Sequence, residues 1–180
     1  NVSGIILLGT SYVGSQNESI ERRKLFENKR IKESKWFAKV IDDWDYMVAN
    51  NTTFDKNGND ISTARTKWWT YDEETAQKVI PIVKEVTKAG RRKPIADNYY
   101  QETPEERQKY LQIQKKFKDL KTKILIINGK YDTNNLPEFA TELHLRLPNS
   151  KLVIVDKAGH FPWIEQREQT FNELNKWLRE

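Results

Sequence analysis

Three short aliphatic runs, Ile5-Ile6-Leu7-Leu8, Ile124-Leu125-Ile126-Ile127 and Leu152-Val153-Ile154-Val155, constrain what this chain can fold into more than any other feature. Each is continuous rather than alternating, so each needs cover on both faces, as strands of a parallel sheet between helices do. Polar or turn-forming residues bound them: Gly4 and Gly9, Asn128 and Gly129, Lys151 and Asp156. Between the second and third runs, the stretch from Pro137 to Leu147 opens with proline and spaces Phe139, Leu143 and Leu147 four apart. It stops at Pro148, which predicts a helix. Strand, helix, strand in that order is a right-handed crossover unit. Beyond the third run, Phe171, Leu174 and Leu178 predict an amphipathic C-terminal helix against the same sheet.

The interval between the first and second runs is far longer than a crossover requires and must fold by itself. Trp36, Phe37, Val40, Ile41, Trp44 and Val48 draw a wide helical stripe there, with Trp36 and Trp44 read as core, and Asn57-Gly58 marks a turn. Asp72 is placed to cap a helix running toward Gly90, which Pro81 should kink or divide. Thr103-Pro104-Glu105-Glu106 is a capping box, predicting a helix from Pro104 to about Asp119. The interval therefore reads as a mostly helical subdomain. Residues 15 to 121 hold 23 Lys and Arg against 18 Asp and Glu, which carries the whole net charge of +5. Acids interleave with the bases, as on a solvated helix face, and Arg91-Arg92-Lys93 reads as a solvated loop. An aromatic content of 11% argues against wholesale disorder. The lack of cysteine removes disulfides, thiolate metal sites and a cysteine nucleophile. No apolar run approaches the length of a membrane span. The expectations are no nucleic-acid partner, no membrane partner, no metal or cofactor, and a cytoplasmic location. A secreted product trimmed of its leader fits the same composition.

In an open parallel sheet, ligands gather outside the carboxyl ends of the strands. Gly9-Thr10-Ser11-Tyr12 follows the first run, Asn128-Gly129-Lys130-Tyr131-Asp132-Thr133 spans the end of the second, and Asp156-Lys157-Ala158-Gly159-His160 follows the third. An aspartate and a histidine thus reach one edge of the sheet on neighbouring loops. A histidine can take and return a proton near neutral pH when a buried carboxylate fixes its tautomer. Asp132 suits that part, and equally suits a plain cap of the turn Asp132-Thr133-Asn134-Asn135. His160 is the candidate base, or a satisfied loop histidine. His144, inside the helix from Pro137, reads as structural.

Gly129-Lys130-Tyr131-Asp132, then Leu152-Val153-Ile154-Val155 and Ala158-Gly159-His160-Phe161-Pro162-Trp163-Ile164-Glu165-Gln166, resembles the C-terminal portion of the α/β-hydrolase fold. More narrowly it resembles the lidded hydrolases of the proline iminopeptidase-like group. The resemblance covers residues 1 to 14 and 121 to 180. It implies an α/β fold in which about three strands with flanking helices form part of a parallel sheet. Residues 1–14 would give one core strand, 15–121 a mostly helical lid, and 122–180 the core segment with the acid and histidine loops. It further implies a serine hydrolase acting on an ester or amide bond, possibly as an aminopeptidase or esterase, with Asp132 as triad acid and His160 as general base.

The family's Gly-x-Ser-x-Gly nucleophile elbow has no counterpart in these 180 residues. Gly9-Thr10-Ser11-Tyr12-Val13 comes nearest and has valine where the second glycine belongs. The expected partner is an N-terminal half of the same hydrolase that carries the serine and the oxyanion hole, with the isolated chain inactive. A small three-stranded domain covered by its own lid is the alternative architecture. A lid would roof the site over a small-molecule or short peptide substrate. Trp163, Trp68 and Trp69 are candidate pocket residues. Glu73 and Glu74 are candidates to receive a substrate amine, as lid carboxylates do in the resembled aminopeptidases. The competing functional reading is a non-enzymatic binding module that uses the aromatic, basic lid.

Overall fold

The computed structural model describes residues 2–10, 16–88 and 103–180. The chain runs β1 (Gly4–Leu8), α1 (Gln16–Glu33), α2 (Lys35–Ala49), α3 (Ile61–Trp69), α4 (Glu73–Lys88) and α5 (Pro104–Lys115). After a single 3-10 turn (Phe117–Asp119) come β2 (Lys123–Gly129), α6 (Pro137–Arg146), β3 (Ser150–Val155), α7 (Pro162–Glu165) and α8 (Arg167–Leu178). Ser11, Gly90 and Arg91-Arg92-Lys93 lie outside the described residues.

The three aliphatic runs form one parallel sheet in the order β1-β2-β3. Ile5 pairs with Ile124 and Ile126 with Leu152, so the carboxyl ends of all three strands meet at one edge. Central β2 is buried from Ile124 to Gly129. Its side chains alternate between two cores, as strand geometry requires. Ile124 and Ile126 pack with Ala140, Leu143 and Leu147 of the α6 layer, while Leu125 and Ile127 pack with Val155, Ala158 and Trp177. Full burial of such a side chain stabilises by roughly 1.5–3 kcal/mol, so the continuous hydrophobicity of β2 is what two-sided cover demands. Edge strand β1 exposes Ile6 at 39% and Leu8 at 42%.

The C-terminal helix forms as the periodicity predicts, but its buried face is turned. Phe171 and Leu178 are exposed, whereas Thr170, Leu174 and Trp177 face inward. Trp177 decides the rotation, because its large ring seals the sheet where Gly4 leaves no side chain in the way. Thr170 supports it by donating Oγ1 to Pro162 O at 2.8 Å.

Among the described residues, five helices lie in the interval between β1 and β2. Ser34 caps α2 by accepting the Phe37 amide, and Asp60 caps α3 by accepting the Thr63 amide. The stripe on α2 is narrower than its sequence suggests. Phe37, Val40 and Met47 are buried, Trp36, Ile41 and Trp44 are half-buried, and Val48 is exposed. With α2 resting between α1 and α3, one face is covered and the flanks of the apolar arc stay wet. The Asn57-Gly58 turn is present, with Gly58 at φ +76° and Asp55 Oδ1 accepting the amides of Asn57 and Asn59 at 2.8 Å each. Asp72 caps α4 through the Thr75 amide at 2.8 Å. Pro81 does not divide α4, which continues to Lys88. Pro81 and Gln77, the residue whose carbonyl loses its donor, both face solvent, where water replaces the missing bond. The helix from Pro104 ends at Lys115, and the 3-10 turn carries the chain on to Asp119.

Candidate active site

The acid and histidine loops leave β2 and β3 side by side. Asp132 is fully buried, and its Oδ1 accepts the amides of Asn134 at 2.9 Å and Asn135 at 2.8 Å. The turn-cap geometry is thus present, and it uses one carboxylate oxygen. The second oxygen, Oδ2, lies 2.9 Å from His160 Nδ1. A carboxylate accepts only, so Nδ1 carries a proton, and in the neutral ring Nε2 is the nitrogen with the lone pair. The His160 side chain keeps 19% of its surface exposed while that of Asp132 keeps none. Asn134 Nδ2 stands 3.4 Å from Nε2. Among the described residues, no serine hydroxyl is recorded at that nitrogen.

The backbone around these two side chains is packed without side chains between layers. A Cβ on Gly129 would stand 1.9 Å from Gly159 O, and one on Gly159 would stand 2.1 Å from Trp69 O. Glycine is required at both places because backbone lies where a side chain would begin. Gly9, at φ +55°, turns the chain after β1 so that its Cα approaches the imidazole, and Asn135 Nδ2 donates to Gly9 O.

The inserted helices meet both loops. His160 N donates to Trp69 O at 2.7 Å, and Thr133 Oγ1 donates to Trp68 O at 2.5 Å. Trp69 and Phe161 flank the imidazole, with ring centroids 5.5 and 5.1 Å away, and the buried Trp69 Nε1 has no acceptor among the described residues. Trp68 turns elsewhere. Its ring stacks on Trp44 at 6.2 Å and donates Nε1 to Glu27 Oε1 at 2.8 Å, beside a cavity of about 300 Å³ that Ile20, Arg23 and Asp45 also line. Burial pushes the Glu27 carboxyl above the ordinary carboxylate range, with the Trp68 bond and Arg23 opposing. Trp163 packs on Phe161 at 5.8 Å, one ring removed from His160. Glu73 and Glu74 lie on the exposed first turn of α4, with Glu74 held by Lys78 at 2.6 Å, and neither is recorded in contact with the imidazole. His144, on α6, bonds Oγ of Ser150, the first residue of β3, at 2.8 Å.

Two residues central to this arrangement escape sequence reasoning. Arg30 of α1, 3% exposed, donates to the carbonyls of Thr70, Tyr71 and Tyr131. Glu165, 9% exposed, accepts the amides of Tyr71, Gly159 and Phe161. The one available signal was Glu165 itself, a carboxylate inside an aromatic and proline-rich stretch. Among the described residues, no cluster of His, Asp and Glu is arranged to hold a metal ion, and no helix is long and apolar enough to cross a membrane.

A parallel three-stranded sheet between helices, with a helical insertion after its first strand and an aspartate and histidine at its carboxyl edge, is the C-terminal part of the α/β-hydrolase fold. The comparisons with known proteins agree. The family described as TAP-like protein, an α/β-hydrolase family, matches residues 97–180. The chain is 33% identical over 64 residues to a proline iminopeptidase of Clostridium botulinum, a match covering 36% of this chain and 22% of that protein. A thermophilic esterase from Thermogutta terrifontis superposes with a TM-score of 0.59 at 19% identity, covering 98% of this chain and 56% of that one. An esterase from Exiguobacterium antarcticum gives 0.51 at 14% identity, covering 100% and 58%. The chain thus spans little more than half the length of these two esterases.

Proposed function

We propose that this chain supplies the acid, the base and the lid of a serine hydrolase that cleaves an ester or amide bond by acyl transfer. The observation that carries the reading is the Asp132 to His160 pair. Its carboxylate is fully buried, has one oxygen held by two amides, and offers the other to Nδ1 at 2.9 Å. The serine and the oxyanion donors would lie outside these 180 residues, which contain no Gly-x-Ser-x-Gly sequence. An N-terminal half of the same hydrolase is the proposed partner.

In the proposed reaction, His160 Nε2 takes the proton of the serine hydroxyl as its oxygen attacks the carbonyl carbon. The proton then passes to the leaving alcohol or amine as the carbon–oxygen or carbon–nitrogen bond breaks. Water repeats the sequence on the acyl-enzyme, and the serine regains its proton. Asp132 stabilises the imidazolium at each stage. Trp69 and Phe161 shield the imidazole. Names of the similar proteins favour an ester or an aminoacyl substrate.

The test is made on the protein containing this chain together with its nucleophile. An aryl-ester substrate should be turned over, and a serine-directed phosphonate should label the protein stoichiometrically. His160→Ala should abolish turnover. Activity near the starting level in that variant refutes the assignment, and no labelling favours the binding-module reading.

A further inference from the structure

Two buried ions of opposite sign stand on either side of a single peptide group. Arg30 Nη2 donates to Thr70 O at 3.1 Å, and Glu165 Oε2 accepts the Tyr71 amide at 2.8 Å. Thr70 C=O and Tyr71 N–H belong to one peptide, so guanidinium, peptide dipole and carboxylate lie in series. The guanidinium reaches two further carbonyls, Tyr71 O and Tyr131 O, both at 3.0 Å, and covers the Phe37 ring at 3.7 Å. The carboxylate reaches two further amides, Gly159 N and Phe161 N, both at 3.0 Å.

These contacts divide between the two candidate catalytic loops. Tyr131 immediately precedes Asp132, and Gly159 and Phe161 immediately flank His160. The His160 amide itself donates to Trp69 O at 2.7 Å, next to the bridged peptide. Three consecutive amides of the histidine loop are therefore held, two by Glu165 and one by the lid backbone. Buried ions persist only when hydrogen bonds replace the water they lose, and here every recorded replacement is a main-chain group. Burial pulls the Arg30 guanidinium down to about 10, which leaves it charged at neutral pH, and pushes the Glu165 carboxyl up, opposed by the three amides that its two oxygens accept.

We propose that Arg30 and Glu165 are positioning residues: a peptide-relayed ion pair that clamps the Trp69–Tyr71 strap between the acid and histidine loops, so that the general base is mounted on the lid. This rests on the reading of His160 as base. Closing the strap and aligning the imidazole are then one event, and a lid that lets go of Glu165 also lets the imidazole leave Asp132.

NMR of the full protein separates this from a purely structural role. In the wild type, a downfield Nδ1–H resonance of His160 and slow exchange at the amides of residues 159–161 are expected. Glu165→Gln puts a donor where an acceptor is needed. It should erase that resonance and speed exchange at the three amides at least tenfold, while β2 amides stay protected. Arg30→Met should act in the same direction through the strap. If turnover is measurable, Glu165→Gln should lower kcat at least tenfold with KM within about twofold, and the double variant should be no worse than the poorer single one. Retention of the resonance and protection in Glu165→Gln overturns the proposal. So does loss of β2 protection in both single variants, since the pair would then serve folding alone. A wild type with the resonance but without hydrolysis refutes the hydrolase reading and leaves the positioning result standing.

Discussion

On the proposed reading of His160 as general base, replacing Asp132 by Asn separates catalysis from folding, because the two carboxylate oxygens have different duties. Oδ1 receives two amides and Oδ2 receives the imidazole Nδ1–H. In the variant, the amide oxygen can serve one side only. Turning the NH2 toward the Asn134 and Asn135 amides would leave two buried donors facing a donor, at about 1–3 kcal/mol each. The oxygen therefore stays with the backbone, and Nδ2 faces His160. Nδ2 then donates to ring Nδ1, the ring proton moves to Nε2, and the lone pair that should accept the serine proton is gone. By analogy with the corresponding change in a serine protease, kcat should fall by about 10⁴, or roughly 5.5 kcal/mol of transition-state stabilisation. The folded state exchanges three charge-assisted hydrogen bonds for neutral ones, no longer buries a charge and keeps its turn, so stability should fall by about 1–3 kcal/mol, a Tm shift of several degrees. Steady-state hydrolysis of an aryl ester, read beside thermal unfolding of the same preparations, measures both. A kcat within about tenfold of wild type in a folded variant refutes the reasoning, as does a rate that falls only in proportion to unfolded protein.

Three further outcomes follow from the packing and the caps. Gly159→Ala drives a Cβ to within 2.1 Å of Trp69 O, so calorimetry should show a loss of about 1–3 kcal/mol with the His160 to Trp69 bond broken; an unchanged Tm contradicts the close approach. Trp177→Ala empties the seal over β2 and should cost about 3–5 kcal/mol by denaturant titration, whereas Leu178→Ala, at an exposed position, should cost little. Asp60 is held down to about 2 by Ser62 and the Thr63 amide. Its contribution is present above the ordinary aspartate range near 3.8 and disappears as pH falls through about 2. Asp60→Ala should remove about 1 kcal/mol at pH 7 and correspondingly less near pH 2, and an equal loss at both values refutes the cap.

The sheet was legible because two-sided burial leaves a continuous apolar run, and the loops because their position after such runs is a rule of parallel sheets. The buried face of α8 lies one position from the apolar stripe of its sequence, since a helical periodicity fits Phe171 and Leu178 as well as Thr170 and Trp177; the volume of the indole settles it. Helix α1 gave no stripe to read. Its structural contacts are polar, Arg23 to the carbonyls of Thr133 and Asn134 and Arg30 to that of Tyr131, and a bond to a distant carbonyl leaves no pattern in sequence. Glu165 was hidden for the same reason: its three partners are backbone amides, one of them 94 residues away.

The contact of Gly129 with Gly159, and of Gly159 with Trp69, has a consequence for how such a molecule can vary. Three segments from three parts of the chain meet main chain to main chain at these glycines, so their closest approach is set by atomic radii whatever the side chains around it. That seam is a mechanical datum. The outer faces of the inserted helices can change shape and charge, and while both glycines and the contacts of Arg30 and Glu165 remain, the Trp69–Tyr71 segment keeps its height above the aspartate and the imidazole.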